Sequence, residues 1–351
     1  MRLSPSFAGR ACTLLAILAA GSLTATVSAK KPGRPPPPGG CDLAGITQPK
    51  YAIFLDDYPR GRFQLIELPC LDSQPDSLAT PQKLALDLPK SQPRKFQIAN
   101  GDVFHDGIQY RFVFGGRTGP SDHWGIWGGV LDVSGSKITD IHPIVRNADF
   151  REEDPRFSWD GQWIVYKSNG QIWLVPLGGE WGDPSAYAPP ILFEAEEDCE
   201  LWAPSMYANM VSYARRCKGD SQSDRIVYRL LGGDRVILES EGGGPDRFSH
   251  FTRDGDFVYS HVDPSTDRAS LWRYMPGGGH ADPELLLDWT PSDDDPYADR
   301  QFRDYIAFSG WSGEGYDLYI TRQSVPNTAV QVTDEINVLG TVTFGYGETT
   351  R

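Results

Sequence analysis

The sequence lacks the short motifs that identify several classes of enzyme. It contains no G-x-S-x-G nucleophile elbow, no H-E-x-x-H zinc motif, no phosphate-binding loop and no G-x-G-x-x-G fingerprint. Its six histidines include no pair at close metal-ligand spacing. These absences argue against a serine hydrolase, a zinc metalloprotease and a nucleotide-binding enzyme. Catalytic residues and metal ligands therefore stay unknown at this stage.

Positive charge is also scarce, because 33 Lys and Arg are set against 47 Asp and Glu, for a formal net charge of −14. We expect no nucleic-acid partner, since phosphate binding needs a basic surface. A basic peptide, a basic protein surface or a metal ion would suit this charge. Acidity is equally an ordinary means of staying soluble.

Long apolar runs are missing beyond the N-terminus. Residues 1–29 contain Arg2, Arg10 and the run CTLLAILAAGSL, and they end in Val27-Ser28-Ala29, which is the order of a cleaved secretory signal. The alternative is a membrane anchor, but the run is shorter than the roughly 20 residues that a spanning helix needs. We expect a periplasmic or secreted protein without a transmembrane segment. The proline-rich stretch within residues 30–50 is typical of an extended tether, and these residues would form an N-terminal clamp.

Cysteine is used sparingly and never in a C-x-x-C pair. Once Cys12 is removed with the signal, Cys41, Cys70, Cys199 and Cys217 remain. An even number in an exported chain favours disulfides over metal ligation. Four cysteines allow three pairings.

One strand pattern recurs six times, as YAIFL, YRFVF, WIVYK, MVSYA, FVYSH and YIAFS. The closing aromatic residues lie 46 to 60 residues apart, at Phe54, Phe114, Tyr166, Tyr213, Tyr259 and Phe308. Two more strands follow each copy, and a leading strand precedes each copy from the second onward. Four short antiparallel strands repeated at this period predict an all-β fold, a six-bladed β-propeller over residues 51–351. Residues 339–346 would supply the missing leading strand of blade 1 and close the ring.

The segments DPRFSWDGQWIVY and DRFSHFTRDGDFVY resemble the repeat of the TolB-like six-bladed propellers. The resemblance covers most of residues 51–351 and is clear in two blades. It implies four-stranded antiparallel blades around a channel. The chain has no room for the separate N-terminal domain of TolB, so the partners of TolB do not carry over.

This topology selects one pairing of the cysteines. Cys199 and Cys217 fall on the face where the leading strands begin, whereas Cys41 and Cys70 fall on the opposite face. We therefore predict the disulfides Cys41–Cys70 and Cys199–Cys217.

The same topology predicts that three acidic runs surround the channel mouth. They are Glu152-Glu153-Asp154, Glu196-Glu197-Asp198 and Asp293-Asp294-Asp295, before or at the leading strands of blades 3, 4 and 6. Such a mouth would bind a basic peptide or Ca²⁺, and no other cofactor is expected. The alternative is that these are solvated loop acids, in part neutralised by Arg215, Arg216 and Lys218. His123 and Trp124, in a long loop of blade 2, are further binding candidates.

The sequence thus predicts an exported, monomeric propeller that binds a protein or peptide at an acidic channel mouth. The alternative is a carbohydrate-active enzyme, either a polysaccharide lyase or a glycoside hydrolase, with its site at the same mouth. The missing catalytic motifs favour binding, and whether the chain is an enzyme stays open.

Overall fold

The computed structural model describes residues 51–56, 62–68, 80–88, 90, 96–147, 149–219, 224–238, 243–276, 283–288, 293–298, 305–312, 315–334 and 343–345. Almost all regular structure in these residues is β-strand, arranged as six separate sheets. The alternation of apolar and polar residues along the strands favours extended chain, because one face of each strand can then be buried against the next sheet. The prediction of an all-β six-bladed propeller is confirmed.

The first three blades contain twelve strands and one short helix. Their bounds are β1 (Tyr51–Asp56), β2 (Arg62–Glu67), β3 (Gln82–Lys83), β4 (Ala85–Leu86), β5 (Gln97–His105), β6 (Tyr110–Arg117), β7 (Gly125–Asp132), β8 (Lys137–Val145), β9 (Glu152–Phe157), β10 (Trp163–Ser168), β11 (Gln171–Pro176), the 3₁₀-helix Pro184–Ala186 and β12 (Ile191–Glu194).

The last three blades and the closing strand contain thirteen strands. These are β13 (Cys199–Tyr207), β14 (Met210–Cys217), β15 (Arg225–Leu230), β16 (Arg235–Ile237), β17 (Asp246–Phe251), β18 (Phe257–Asp263), β19 (Arg268–Tyr274), β20 (Glu284–Leu287), β21 (Asp293–Ala298), β22 (Tyr305–Trp311), β23 (Tyr316–Arg322), β24 (Val325–Gln331) and β25 (Thr343–Gly345).

The ring closes as the sequence predicts. Strand β25 pairs antiparallel with β1, and Ile53 lies opposite Thr343 while Tyr51 lies opposite Gly345. Residues 339–342 of the predicted closing strand lie outside the described residues. The sheet of blade 1 therefore has the order β25-β1-β2-β3, so that the C-terminal strand supplies its innermost position.

Blade 2 has a fifth strand that the sequence did not reveal. Strand β3 pairs with β2 of blade 1, and after Leu84 the chain continues as β4, which runs parallel to β8 of blade 2. The amide of Leu84 donates to the Phe63 carbonyl, whereas the amide of Ala85 donates to the Ser136 carbonyl. One short segment thus joins two blades through its backbone.

The leading strands of blades 2 to 6 each contain an irregularity at the same level. In blades 3, 4 and 5 the bulged residues Asp154, Ala203 and Phe248 have φ between 46° and 54°. A bulge adds one residue, bends the strand and re-aims its side chains. The recurring aromatic residues Tyr166, Tyr213 and Tyr259 lie opposite these bulges and are buried.

The hydrophobic core lies between neighbouring sheets. One cluster joins Ala52 and Phe54 of blade 1 to Tyr305 and Ile320 of blade 6, across the point of closure. Another joins Val165 of blade 3 to Tyr213 of blade 4. Since each blade buries its apolar faces against two neighbours, closure of the ring completes the burial of both end blades.

The predicted disulfide Cys199–Cys217 is present and links the start of β13 to the end of β14. Cys41 and Cys70 lie outside the described residues, so their bridge stays a prediction. Among the residues that the structure describes, no helix is long and apolar enough to cross a membrane. A disulfide fits an exported protein. The signal over residues 1–29 and the tether over residues 30–50 also lie outside the described residues.

Candidate functional site

The leading strands β9, β13 and β17 all begin on one face of the ring, here called the front face. Their first residues Glu152, Cys199 and Asp246 lie opposite Ser168, Cys217 and His261, at or close to the ends of the adjacent strands. Acidic and basic residues are concentrated at these strand ends. The front face therefore combines residues that are far apart in the sequence.

A cleft of about 540 Å³ lies on the front face between blades 3 and 4 and is here called the blade 3–4 cleft. Its charged lining residues are Arg151, Glu153, Lys167, Asp198, Glu200, Arg216 and Lys218. Asn169, Gly170 and the Cys199–Cys217 disulfide complete the lining. Four basic and three acidic side chains thus face one another, which gives the cleft mixed charge.

One ion pair crosses the cleft from blade 3 to blade 4, and two more lie within blade 3. Lys167 Nζ is 2.6 Å from Glu200 Oε1 and 4.0 Å from Glu153 Oε2. An Arg151 Nη2 donor lies 2.5 Å from Glu153 Oε1. Burial raises the pKa of Glu153, and the neighbouring charge of Asp154 raises it further, while Arg151 and Lys167 act in the opposite direction.

The second acidic run is also compensated by basic residues. Glu196 accepts a hydrogen bond from Arg215 Nε at 2.7 Å and pairs with Arg235. Asp198 is paired with Lys218 at 3.2 Å, and both of these side chains are exposed. Glu197 is exposed. Two of the cations that the sequence suggested as neutralising partners, Arg215 and Lys218, do pair with this run.

Glu152 of the first run lies in the interior, with 2 % of its surface exposed. Its Oε2 accepts a hydrogen bond from the Asn147 amide at 3.4 Å, and its own amide donates to the Trp124 carbonyl. Burial raises the pKa of Glu152 to about 7, although the Asn147 amide and the charge of Arg146 partly oppose this. The structure therefore brings two predicted site residues together, Glu152 and Trp124.

The blade 2 loop is anchored by charge and aromatic contacts. Trp124 is buried, and the Arg117 guanidinium lies over its ring at 4.8 Å. His123 next to it is exposed, and its amide donates to Asp122 Oδ1. Trp124 thus has a packing role, whereas the His123 side chain reaches the solvent.

The three acidic runs do not form one set among the described side chains. Glu153 and Asp198 line the same cleft. Asp154 lies at the bulge of β9, where Asn100 Nδ2 donates to its Oδ1 at 2.5 Å. Asp293, Asp294 and Asp295 begin β21, but their side chains lie outside the described part of the structure. A ring formed by all three runs stays a prediction.

Sequence reasoning missed Asp224, whose carboxylate is completely buried between two arginines. Arg216 donates from Nε to Oδ1 at 2.7 Å and from Nη2 to Oδ2 at 2.9 Å. Arg247 of blade 5 donates from Nε to Oδ2 at 2.8 Å. The hydrogen bond to Asp224 raises the pKa of Arg216. No local spacing could reveal this group, because its members belong to two blades.

A metal centre does not form among the described residues. The one group of three metal-binding side chains within ligand distance there is Glu196, Cys199 and Cys217, and the two cysteines are joined in a disulfide. A bridged cysteine has no thiolate to offer. His261 Nδ1 lies 2.8 Å from Asp246 Oδ1, and His142 Nε2 lies 2.6 Å from the Tyr187 hydroxyl.

Comparison with known proteins identifies the fold class. No family model and no curated protein matches the chain. A chain in the crystal structure of the nidogen/laminin complex is similar, with a TM-score of 0.52 and 11 % identity, over 84 % of this chain and 98 % of that one. A puromycin-hydrolysing peptidase of Mycobacterium tuberculosis gives a TM-score of 0.51 at 13 % identity, over 82 % of this chain and 43 % of that one.

TolB from Acinetobacter baumannii is also similar, with a TM-score of 0.48 and 13 % identity, over 81 % of this chain and 69 % of that one. At these identities the likeness shows a shared fold and leaves function open. The chain is therefore a six-bladed β-propeller. The fold that the resemblance to the TolB-like propellers implies, a closed ring of six antiparallel blades, is confirmed by the sheet topology of this chain.

Proposed function

We propose that the chain is an exported binding module that takes up a charged segment of a peptide or protein on its front face. The observation that carries this proposal is the blade 3–4 cleft, whose lining contains seven charged side chains. The cleft lies where the leading strands β9 and β13 of two neighbouring blades begin. Sites on loops and strand ends at one face of a rigid ring are typical of propeller binding surfaces.

The lining supports a peptide over the other ligand classes. Small-molecule pockets are lined mainly by apolar and aromatic side chains. Among the described residues that line this cleft, none is aliphatic or aromatic. A sugar-binding site would be expected to offer an aromatic stacking surface, so the carbohydrate-active alternative has no support from this lining.

The ion pairs also change the expected partner. Sequence charge alone predicts a basic peptide at an acidic mouth, whereas the lining has four basic and three acidic groups. We infer that the ligand carries both signs of charge, since the partner must replace ion pairs of the lining such as Lys167–Glu200, in which Glu200 is exposed and Lys167 is half-buried. Ca²⁺ binding at the acidic runs remains a separate proposal, which calorimetric titration with CaCl₂ would test.

The test uses the chain exported into an oxidising compartment, fluorescently labelled and screened against a bead-bound random hexapeptide library. We expect binding to peptides of mixed charge that weakens as NaCl rises from about 50 to 500 mM, because exposed ion pairs are screened. Lys167→Glu should weaken the selected peptides about tenfold, and Glu200→Lys should change the preferred charge pattern.

The control is Lys137→Glu, because Lys137 is also a partly exposed, ion-paired lysine but begins β8 of blade 2. It should leave peptide binding unchanged. The proposed function fails if no peptide is retained at low salt, or if Lys137→Glu weakens binding as much as Lys167→Glu.

A further inference from the structure

Two guanidinium groups on the front face are held by one buried carboxylate. Asp224 is completely buried and accepts three N–H donors, two from Arg216 and one from Arg247. A buried carboxylate fixes the planes of the guanidinium groups that it pairs with. Arg216 belongs to the lining of the blade 3–4 cleft, so this arrangement borders the proposed peptide site.

Both guanidinium groups keep donors that face the solvent. Arg216 uses Nε and Nη2, and its side chain is 50 % exposed. Arg247 uses only Nε toward Asp224, and its side chain is 33 % exposed. Among the described residues no further hydrogen bond occupies the Nη groups of Arg247. Donors in a rigid fork are thus available next to the cleft.

The other acidic groups near the two guanidinium groups have partners of their own. Two guanidinium groups stand against the single carboxylate of Asp224. Glu200 also acts on Arg216, but it is exposed and lies 2.6 Å from Lys167. The other buried acid nearby, Asp246, is bonded to His261 and donates its amide to the Asp224 carbonyl. Among the described residues, Asp224 is thus the one carboxylate that is hydrogen-bonded to these two guanidinium groups.

The Arg216 side chain is held from a second direction as well. Its guanidinium lies 5.7 Å from the ring centre of Trp202, whose ring packs edge-on against Phe248 at 5.0 Å. A cation over an aromatic face is attracted by the ring and loses freedom to move. Arg216 is therefore pre-organised before any ligand arrives, which lowers the entropy cost of binding.

We propose that Arg216 and Arg247 form a receptor for a carboxylate of the bound peptide, either an Asp or Glu side chain or the C-terminal carboxylate. This inference rests on the proposed function and names the chemistry of one end of that site. A carboxylate has two oxygens that match the remaining guanidinium donors, and charge-assisted bonds of this kind are the strong ones. Asp224 acts as a positioning residue that aligns both forks.

The experiment compares two hexapeptide libraries coupled to beads through their N-termini, one with a free C-terminal carboxylate and one with a C-terminal amide. Enrichment of Asp and Glu in both libraries identifies a side-chain carboxylate, whereas loss of binding in the amide library identifies the C-terminus. In either case Arg247→Gln should weaken the selected peptides at least about tenfold, as expected for one lost charge-assisted interaction. Arg247→Lys, which keeps the charge but loses the fork, should weaken them by an intermediate factor.

A second probe separates this proposal from the proposed function. Glutarate, a small dicarboxylate, is titrated into the wild type, Arg247→Gln and Lys137→Gln, with thermal unfolding of each variant as the check of folding. We expect Arg247→Gln to abolish glutarate binding and Lys137→Gln, on blade 2 and outside the cleft, to leave it unchanged.

Two failures are then distinguishable. If peptides bind and depend on Lys167 but are indifferent to Arg247 and to carboxylates, the proposed function stands and the carboxylate receptor is refuted. If no peptide binds while glutarate binds in an Arg247-dependent way, the proposed function fails and the receptor serves another carboxylate.

Discussion

Glu152 lies in an environment unlike that of a surface acid. It is buried at the start of β9, and its pKa is raised from the ordinary 4.5 to about 7 because burial disfavours the charged form. Between pH 4.5 and pH 7 the Glu152 carboxyl group is mostly protonated in the folded chain and ionised in the unfolded chain. Stability contributed by this proton is present below pH 4.5 and is lost as the pH rises through 7.

Glu152→Gln should therefore stabilise the protein at high pH and have little effect at low pH. The amide resembles the protonated carboxyl group and never ionises, so the gain should reach about 3 kcal/mol above pH 7. Urea unfolding of the wild type and the variant from pH 5 to 8.5 measures this difference. Glu197→Gln, at an exposed position, should give a flat difference over the same range. A gain at pH 5 as large as at pH 8 would contradict the argument.

Side-chain hydrogen bonds join the leading strands of neighbouring blades. Asp102 on β5 is completely buried, and its Oδ2 accepts from the amide of Phe157 on β9 at 2.8 Å. The other oxygen accepts from the Val103 amide. A comparable but weaker bond joins blades 4 and 5, where the Phe251 amide donates to Ser205 Oγ at 3.3 Å. Side chains thus tie neighbouring leading strands together near the channel.

Asp102→Ala should destabilise the protein more than Ser205→Ala. The first change leaves the buried Phe157 amide without its charged acceptor, at a cost of about 3 kcal/mol, whereas the second removes a longer, neutral bond worth about 1 kcal/mol. The midpoint of urea unfolding at pH 7.5 measures both costs. Equal effects of the two changes would show that the charge on Asp102 is unimportant for joining blades 2 and 3.

Closure of the ring is a property of the whole propeller. Strand β25 pairs with β1, and a hydrophobic cluster links blade 1 to blade 6. Without β25, blade 1 would lose its innermost strand and present an unpaired edge. A contact of this kind has the longest sequence separation in the fold.

A chain ending at Val342, which lacks β25, should unfold at a lower urea concentration than a chain ending at Tyr346, which keeps it. Three residues of β25 pair with β1, so the loss should be at least about 3 kcal/mol at roughly 1 kcal/mol each. The two truncations differ by only four residues, which makes the longer one a matched control. Identical unfolding midpoints would mean that β25 does not hold the ring closed.

Part of the candidate site was predictable and part was not. The topology of the repeats placed Glu153 and Asp198 on the same face, and both line the blade 3–4 cleft. Their compensation by Arg151 and Lys167 was not foreseen, nor was the burial of Glu152. Arg151 and Lys167 belong to the same blade as Glu153, but the distances between their side chains depend on the pairing of β9 with β10 and on rotamers, which an acidic run read along the chain does not specify.

The sequence by itself determined the number of blades, the strands that begin and close the ring, and the Cys199–Cys217 bridge, because strand alternation and repeat period are local properties of the chain. Only the tertiary structure decided that β4 joins blade 2, and that Asp224 lies between Arg216 and Arg247. Ion pairs and strand pairings between blades depend on distances of a few ångströms between distant segments. Such distances are set by how the blades pack, and no spacing within a repeat encodes them.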